Sequence, residues 1–430
     1  MSGFGKSDQF LMQYIKDAPL SRRSFLAAGG MTLAVMGIAD AAHSREKLTS
    51  EAFSAAPDAP LWGMAMAYGE GRLDIIDLDG SQILHSFEGF HASHAITPVE
   101  HLNRFVIHGA RFEGARTRAN ARGALMVVQV DPVLKSWEVL LYKDIEGGIP
   151  LHWQPNPEYT EIVFNTTGDG SLHVLDTKSL EITRYVGGGE HSNMAMFENL
   201  LIATDAMAGP SNVLITDRKT NTVLSSTPIG TWGHGVTVNN ERGEAFVWSK
   251  EGGHRISLAN ATMGKHLGAM EPFQERQRSW FCWTPQGGQF SHDVAWNKGD
   301  IYDPYLLAVD MKAGRFEQIP TGDPDLQPSF LQVSPDGKWG LASMRGYEEV
   351  GVFDLVNHEF QGTIDAGPAN LSFFERDMAF CRNRNFALVT NSAENSLSLL
   401  DLGEQEEVRR IYLPRRPDWI KVLSPGSHQT

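Results

Sequence analysis

A short apolar run that closes on an acid recurs along the chain: LDIID ending at Asp77, VVQVD at Asp131, LHVLD at Asp176, VLITD at Asp217, LLAVD at Asp310, VGVFD at Asp354 and LSLLD at Asp401. HRISLAN, ending at Asn260, holds the same phase between Asp217 and Asp310. Neighbouring members stand 41 to 54 residues apart, the period of a four-stranded propeller blade, which cannot bury both faces alone and must stack on its neighbours. Each acid precedes a turn and a further strand, as in DTKSLEITRYV and DLVNHEFQGTI, and a segment such as PSFLQVSPDGKWGLASM then opens the next unit. The order within a unit is therefore innermost strand, second strand, acid-ending third strand, outer strand. Eight units are countable, and seven is the alternative because the sixth is short, with 18 residues between His292 and Asp310.

The first unit, from Leu61 to Phe87, has room for three strands, whereas DWIKVLS near the C-terminus supplies one strand after the last outer strand. Together they predict a ring closed by the C-terminal strand, which removes the sheet edges that invite aggregation. The expected fold class is all-β, a single eight-bladed β-propeller over residues 61–430, with residues 42–60 as a linker. Residues 1–41 read as an export signal. Ser21-Arg22-Arg23-Ser24-Phe25-Leu26 precedes a weakly apolar run, Leu26 to Ile38, and Ala39-Asp40-Ala41 offers a small-residue cleavage site. This closely resembles a bacterial twin-arginine signal, with Ala27 where Lys is common. It implies recognition by the twin-arginine export machinery, export in folded form and a periplasmic location. The run is too short and too rich in Gly and Ala to favour a membrane anchor.

Composition narrows the partners. A formal net charge of -15 argues against nucleic acid, whose phosphates need clustered Lys and Arg. The two cysteines, Cys282 and Cys381, match neither a zinc knuckle nor a CxxC motif, and in an oxidising compartment they stand either as a pair or as two thiols. No GxSxG elbow, Walker loop, HExxH or dinucleotide fingerprint occurs in the mature chain.

The units PSFLQVSPDGKWGLASMRGYEEVGVFDLVNHEFQGTI and NFALVTNSAENSLSLLDLGEQEEVRRIYLPRRPDWIKV resemble the YVTN-type, quinoprotein-amine-dehydrogenase-like propeller superfamily. That superfamily includes the propellers of nitrous oxide reductase, haem-binding nitrite reductase domains and periplasmic zinc chaperones. The resemblance covers nearly all of the mature chain and implies a fold, not a reaction. In size, export and single-domain layout the chain is similar to the zinc chaperones. No cysteine-rich cupredoxin motif follows the repeats, which argues against nitrous oxide reductase chemistry.

Segments that open five consecutive units carry a histidine: SHAITP (His94), LHWQPN (His152), EHSNMAM (His191), GHGVTV (His234) and SHDVAW (His292). The other three carry Ser329-Phe330, Asn370 and Asp418-Trp419, so the histidines are expected to form an arc at one mouth of the channel. For any single histidine, bonding neighbouring loops is the competing account. Five imidazoles converging on one axis repel one another when protonated and so favour the neutral, metal-binding form. Such a set suits zinc or copper and disfavours hard cations such as calcium. Glu190 and Asp293 adjoin two of these histidines as ligands or tautomer-fixing acceptors, or else as solvated rim charges. Gly109–Gly123 carries Arg111, Arg116, Arg118 and Arg122, a possible anion clamp that is otherwise an exposed loop. Pro272–Phe290 carries Trp280, Phe281 and Trp283, which either wall a pocket or pack on a blade. Two main function classes follow. One is a metallochaperone-like binding protein that holds zinc or copper, or a small ligand, at the channel mouth and passes it to a transporter or enzyme. The other is a metal- or cofactor-dependent oxidoreductase, lyase or lactonase using the same mouth, with a scaffold lacking axial chemistry as a third.

Overall fold

The computed structural model describes residues 61–67, 71–113, 120–189, 192–205, 209–231, 233, 235–240, 242–249, 251–270, 280–283, 289–292, 304–310, 315–334, 336–344, 348–367, 376–381 and 386–423. Of these, 92–95, 269–270, 280–283, 289–292, 309–310 and 315–316 are described by backbone alone. The signal and linker lie outside the described residues.

The strands run in chain order. β1 (Trp62–Ala67), β2 (Arg72–Asp77) and β3 (Gln82–Glu88) precede the second unit, β4 (His91–Val99), β5 (Arg104–Phe112), β6 (Ala121–Asp131) and β7 (Ser136–Ile145). The third unit is β8 (Pro150–Pro155), β9 (Glu161–Thr166), β10 (Leu172–Asp176) and β11 (Ile182–Tyr185), and the fourth is β12 (Met194–Phe197), β13 (Leu200–Thr204), β14 (Pro210–Asp217) and β15 (Thr222–Thr231). Next come β16 (Val236–Asn239), β17 (Glu244–Ser249), β18 (Gly252–Ser257) and β19 (His266–Met270), then β20 (Trp280–Trp283), β21 (Gln289–His292), β22 (Tyr305–Asp310) and β23 (Arg315–Pro320). The chain ends with β24 (Pro328–Val333), β25 (Trp339–Met344), β26 (Glu349–Asp354), β27 (Glu359–Asp365), then β28 (Met378–Cys381), β29 (Phe386–Asn391), β30 (Ser396–Asp401), β31 (Glu406–Tyr412) and finally β32 (Trp419–Leu423).

These strands form eight four-stranded antiparallel sheets, the blades of a β-propeller. In seven of them four consecutive strands lie side by side, and the eighth has the order β3-β2-β1-β32. The C-terminal strand pairs antiparallel with the first, Trp62 opposite Leu423 through Met66 opposite Trp419. The short sixth unit is a complete blade because the WFCW run supplies its innermost strand, β20. His292 consequently ends the second strand of that blade, opposite Trp280, instead of opening the innermost strand.

Apolar side chains from adjacent sheets interleave to form the core. Phe164 and Ile162 of β9 pack with Val106 and Leu125 of the preceding blade. Val163 and Leu172 pack with Met194 and Leu201 of the following one. Ile420 and Val422 of β32 pack with Leu388 and Leu397 of the last full unit.

The acids that mark the period cap the hairpin between third and outer strands. One carboxylate oxygen of Asp176 accepts from the Lys178 and Ser179 amides at 2.9 and 2.7 Å, and Asp354 and Asp401 accept from the amides two and three residues on in the same way. The fourth residue after six of these acids then turns left-handed: Ser81, Lys135, Leu180, Asn221, His358 and Gln405 all have φ between 49° and 65°. The fifth unit departs from the expected phase. Ser257, opposite Glu244, occupies the capping position and accepts from the Ala259 amide at 3.3 Å, whereas Asn260 begins the 3-10 turn Asn260–Thr262.

Two outcomes are expected. A chain ending at Pro414 loses the buried Trp419, Ile420, Val422 and Leu423, each contributing roughly 1.5–3 kcal/mol; it should melt well below the intact protein and less cooperatively, and equal melting curves would count against that role of β32. Gln405→Gly relieves a left-handed backbone at φ 57° and should stabilise by up to about 1 kcal/mol. A lower denaturation midpoint would contradict this.

Candidate functional site

The ladder register sorts the two ends of each blade. In the third unit Asp176 lies opposite Glu161 at one end, and Leu172 lies opposite Asn165 at the other. The inner strand begins at that second end, with Trp153 opposite Phe164. The capped hairpins and the inner-strand starts thus face opposite ends of the molecule.

His152 is placed by an irregularity in the inner strand. Pro150 pairs with Thr166 and Trp153 with Phe164, so Leu151 and His152 fall in a bulge where the ladder shifts. The His152 amide donates to Asn165 Oδ1 at 2.8 Å, and His152 Nδ1 lies 3.1 Å from Asn193 Oδ1 in the next blade. That pairing places the proton on Nδ1 and makes Nε2 the basic nitrogen. Burial pushes the imidazole pKa down to about 4, against the opposing effect of the Asn193 bond, so the ring is neutral at neutral pH. The loop preceding Asn193 is held tightly. Ser192 Oγ accepts from the Gly189 amide and donates to the Thr204 carbonyl, and Asn165 Nδ2 donates to the Gly189 carbonyl at 3.2 Å. A Cβ on Gly189 would stand 1.8 Å from the Asp205 carbonyl oxygen, so only glycine fits there.

His94 occupies a bulge at the corresponding point of β4, between Ala92 opposite Gly109 and Ala95 opposite His108. Its side chain, like those of His292, Trp280, Phe281 and Trp283, is outside the described residues, as are Glu190, His191, His234, Asp293, Arg116 and Arg118. The residues immediately before the first regular inner pair elsewhere are Asn193, Gly235, Phe330, Asp377 and Asp418. His234 therefore precedes this point by one residue and His191 by two. Among the described residues, no three His, Cys, Asp or Glu side chains gather to hold a metal ion.

Arg111 is engaged within its own blade: its guanidinium grips the Asp144 carboxylate of β7 through two bonds of 2.7 and 2.6 Å, and Arg122 lies 3.6 Å from Glu113. Cys381 is buried at the end of β28. His173 lies in the third strand of its blade, as the repeat phase implies. It is buried with His108, and Phe164 stands 4.9 Å from one ring and 5.1 Å from the other. Burial lowers their pKa values to about 4 and about 3.

The structure adds polar groups that the histidine pattern did not reveal. Second strands end at the histidine end in buried hydroxyls and amides: Asn165, Thr166, Thr204, Ser249, Ser343, Thr390 and Asn391. The signal was present as FNT, IAT, VWS, LAS and LVTN at one phase of five repeats. Asp377 is buried in this collar, with Oδ2 accepting from the Ile420 amide at 2.9 Å and from Lys421 Nζ at 2.6 Å. Its Oδ1 has no hydrogen-bond partner, and burial raises its pKa against the pull of Lys421. Phe330, at φ 54°, meets Trp419 edge-on at 5.7 Å between ring centres, forming an apolar side to the collar.

The architecture defines a β-propeller, and solved structures bear this out. The chain is similar to apo AztD from Citrobacter koseri, with a TM-score of 0.66 and 14% identity over 85% of this chain and 98% of that one. A second structure of Citrobacter koseri AztD aligns with a TM-score of 0.61 and 14% identity over 86% and 100% of the two chains. Dihydro-haem d1 dehydrogenase NirN, in complex with DHE, aligns with a TM-score of 0.58 and 12% identity over 86% of this chain and 76% of that one. At these identities the likeness is one of fold. No family model and no curated protein matches the sequence.

The buried histidines give a pH dependence of defined sign. His152 has a folded pKa near 4 against an ordinary 6.5, so the unfolded state binds protons more readily between those values. Stability is complete above about pH 6.5 and falls as pH drops towards 4. The lowered carboxylates, such as Asp176 with an ordinary value of 3.8, act only below that window. Thermal melts should therefore decline between pH 6.5 and 4, with a shallower decline in His152→Gln; identical slopes would contradict the assignment.

Proposed function

We propose that this protein is an exported, periplasmic metal-binding propeller, its ring closed by β32, that takes up zinc or copper at the end of the channel where the inner strands begin and delivers it to a transporter or enzyme. The observation that carries the reading is His152: a buried, neutral imidazole whose Nδ1 is held by Asn193 across a blade boundary. An oriented second nitrogen is the arrangement that makes the other a good ligand. Asn193 Nδ2 and Asp377 Oδ1, buried without partners at the same level of the inner strands, are polar groups suited to water or a bound ion. His94, His191, His234 and His292 are the further ligands the reading assigns, with Glu190 and Asp293 supporting them.

The enzyme reading uses the same end of the propeller and is separated by what the protein carries. Protein purified folded from its native compartment should contain zinc or copper without an organic chromophore, whereas a visible band from a bound organic cofactor would favour redox chemistry. Calorimetric titration with zinc and with copper gives the second check. His152→Ala should abolish or strongly weaken binding at the inner-strand site, and Asn193→Ala should weaken it there about 10–100-fold while leaving the fold intact. His173→Ala should leave affinity unchanged. Equal affinities in wild type, His152→Ala and Asn193→Ala would defeat the metal-carrier reading.

A further inference from the structure

A second histidine pair lies away from the inner strands, on the fifth blade. His254 is in β18, the third strand, and His266 is in β19, the outer strand. Their nitrogens face each other, with His254 Nδ1 3.0 Å from His266 Nε2 and the rings inclined at 66°. His254 is buried and His266 is exposed. A bulge sets this meeting: Arg255 pairs with Gly268 but Ile256 with His266, so Leu267 is the extra residue and His266 shares the face of Ile256 and His254.

The buried ring is backed by a chain of polar groups. His254 Nε2 lies 2.8 Å from Ser249 Oγ, which donates to Glu251 Oε2 at 3.2 Å. Glu251 is itself fixed by the Thr231 amide and hydroxyl at 2.7 and 2.8 Å. Because Ser249 gives its one proton to the carboxylate, it accepts from His254 Nε2–H, and Nδ1 is the lone-pair nitrogen directed at His266. Burial and the neighbouring imidazole lower the His254 pKa to about 4, against the effect of Glu251, which keeps the ring neutral.

We propose that His254 and His266 form a peripheral chelating site for a borderline divalent cation, zinc or copper, backed by Ser249 and Glu251. Two imidazole nitrogens on a tetrahedral zinc, at bonds of about 2.0–2.1 Å, stand about 3.3 Å apart; on a square-planar ion at similar bond length they stand about 2.9 Å apart. The observed 3.0 Å lies between these, and His266 on the outer strand supplies the small opening zinc requires. On binding, the cation takes the place of the proton between the rings and His266 carries its proton on Nδ1. Water completes the shell from the solvent side. A ligating histidine commonly donates its other ring N–H to a fixed acceptor that orients the ring, and here that acceptor is Ser249 Oγ, held in turn by Glu251. This site is independent of the one at the inner strands, and a difference in zinc count separates them.

The test is equilibrium dialysis of the full chain against zinc chloride, together with ring-nitrogen NMR. His266→Ala, an exposed substitution, should bind one zinc fewer than wild type, and His152→Ala should retain that peripheral equivalent. Zinc should shift the His254 Nδ1 and His266 Nε2 resonances. An unchanged zinc count in His266→Ala, or ring resonances that zinc does not move, would overturn the proposal, whatever His152→Ala shows about the inner site.

Discussion

Each blade depends on its neighbours to bury its faces, and the rest of the molecule follows from that dependence. Phe164 shares a core with Val106 on one side, and the adjacent Val163 shares a core with Met194 on the other. Alternate residues of one strand point to opposite faces, so a single strand serves two boundaries. A lone four-stranded sheet would leave one of those faces in water. The first unit, with three strands of its own, is completed by β32 in the same way.

Stacking around an axis brings the inner strands together, and that is where the apolar core gives way. The second strands end in buried Asn165, Thr204, Ser249, Ser343 and Asn391, and of these Asn165, Ser249 and Ser343 hydrogen-bond to backbone groups where the loops begin. A buried hydroxyl or amide is tolerated when hydrogen-bonded. The Ser192 bridge between Gly189 and Thr204 shows how closely the loops are drawn in. Among the described residues of that collar, His152 and Asp377 are two buried titratable groups. Burial acts on the two in opposite senses of charge and in one sense of chemistry: it disfavours the imidazolium of His152 and the carboxylate of Asp377 alike. The neutral imidazole that results is the form a metal requires.

Much of this was legible in the chain. The acids at Asp176, Asp354 and Asp401 announced the third strands because one carboxylate caps a hairpin best at a fixed point, where two amides converge. His152 was legible as a residue opening an inner strand. Asn193, which orients it, was hidden because it sits two positions beyond the more conspicuous His191. The sixth blade misled for a related reason: its inner strand is the aromatic run Trp280–Trp283, which reads equally well as a pocket wall, and so His292 fell on the second strand. Asn260 stood at the right distance but Ser257 does the capping, since the following turn is longer.

The sequence by itself determined the repeat, the all-β class, the place of the acids and the need for a strand from the far end of the chain. These are set by local periodicity and turn chemistry, which neighbours along the chain dictate. Tertiary structure decided which polar residues meet. Bulges at His152, His94, Phe330 and Leu267 and unequal hairpin lengths shift the register by one or two residues, and a one-residue shift turns a side chain to the other face. Contacts such as His152 with Asn193, or His254 with His266, arise from those shifts and from the stacking of blades, neither of which is expressed in the spacing of histidines along the chain.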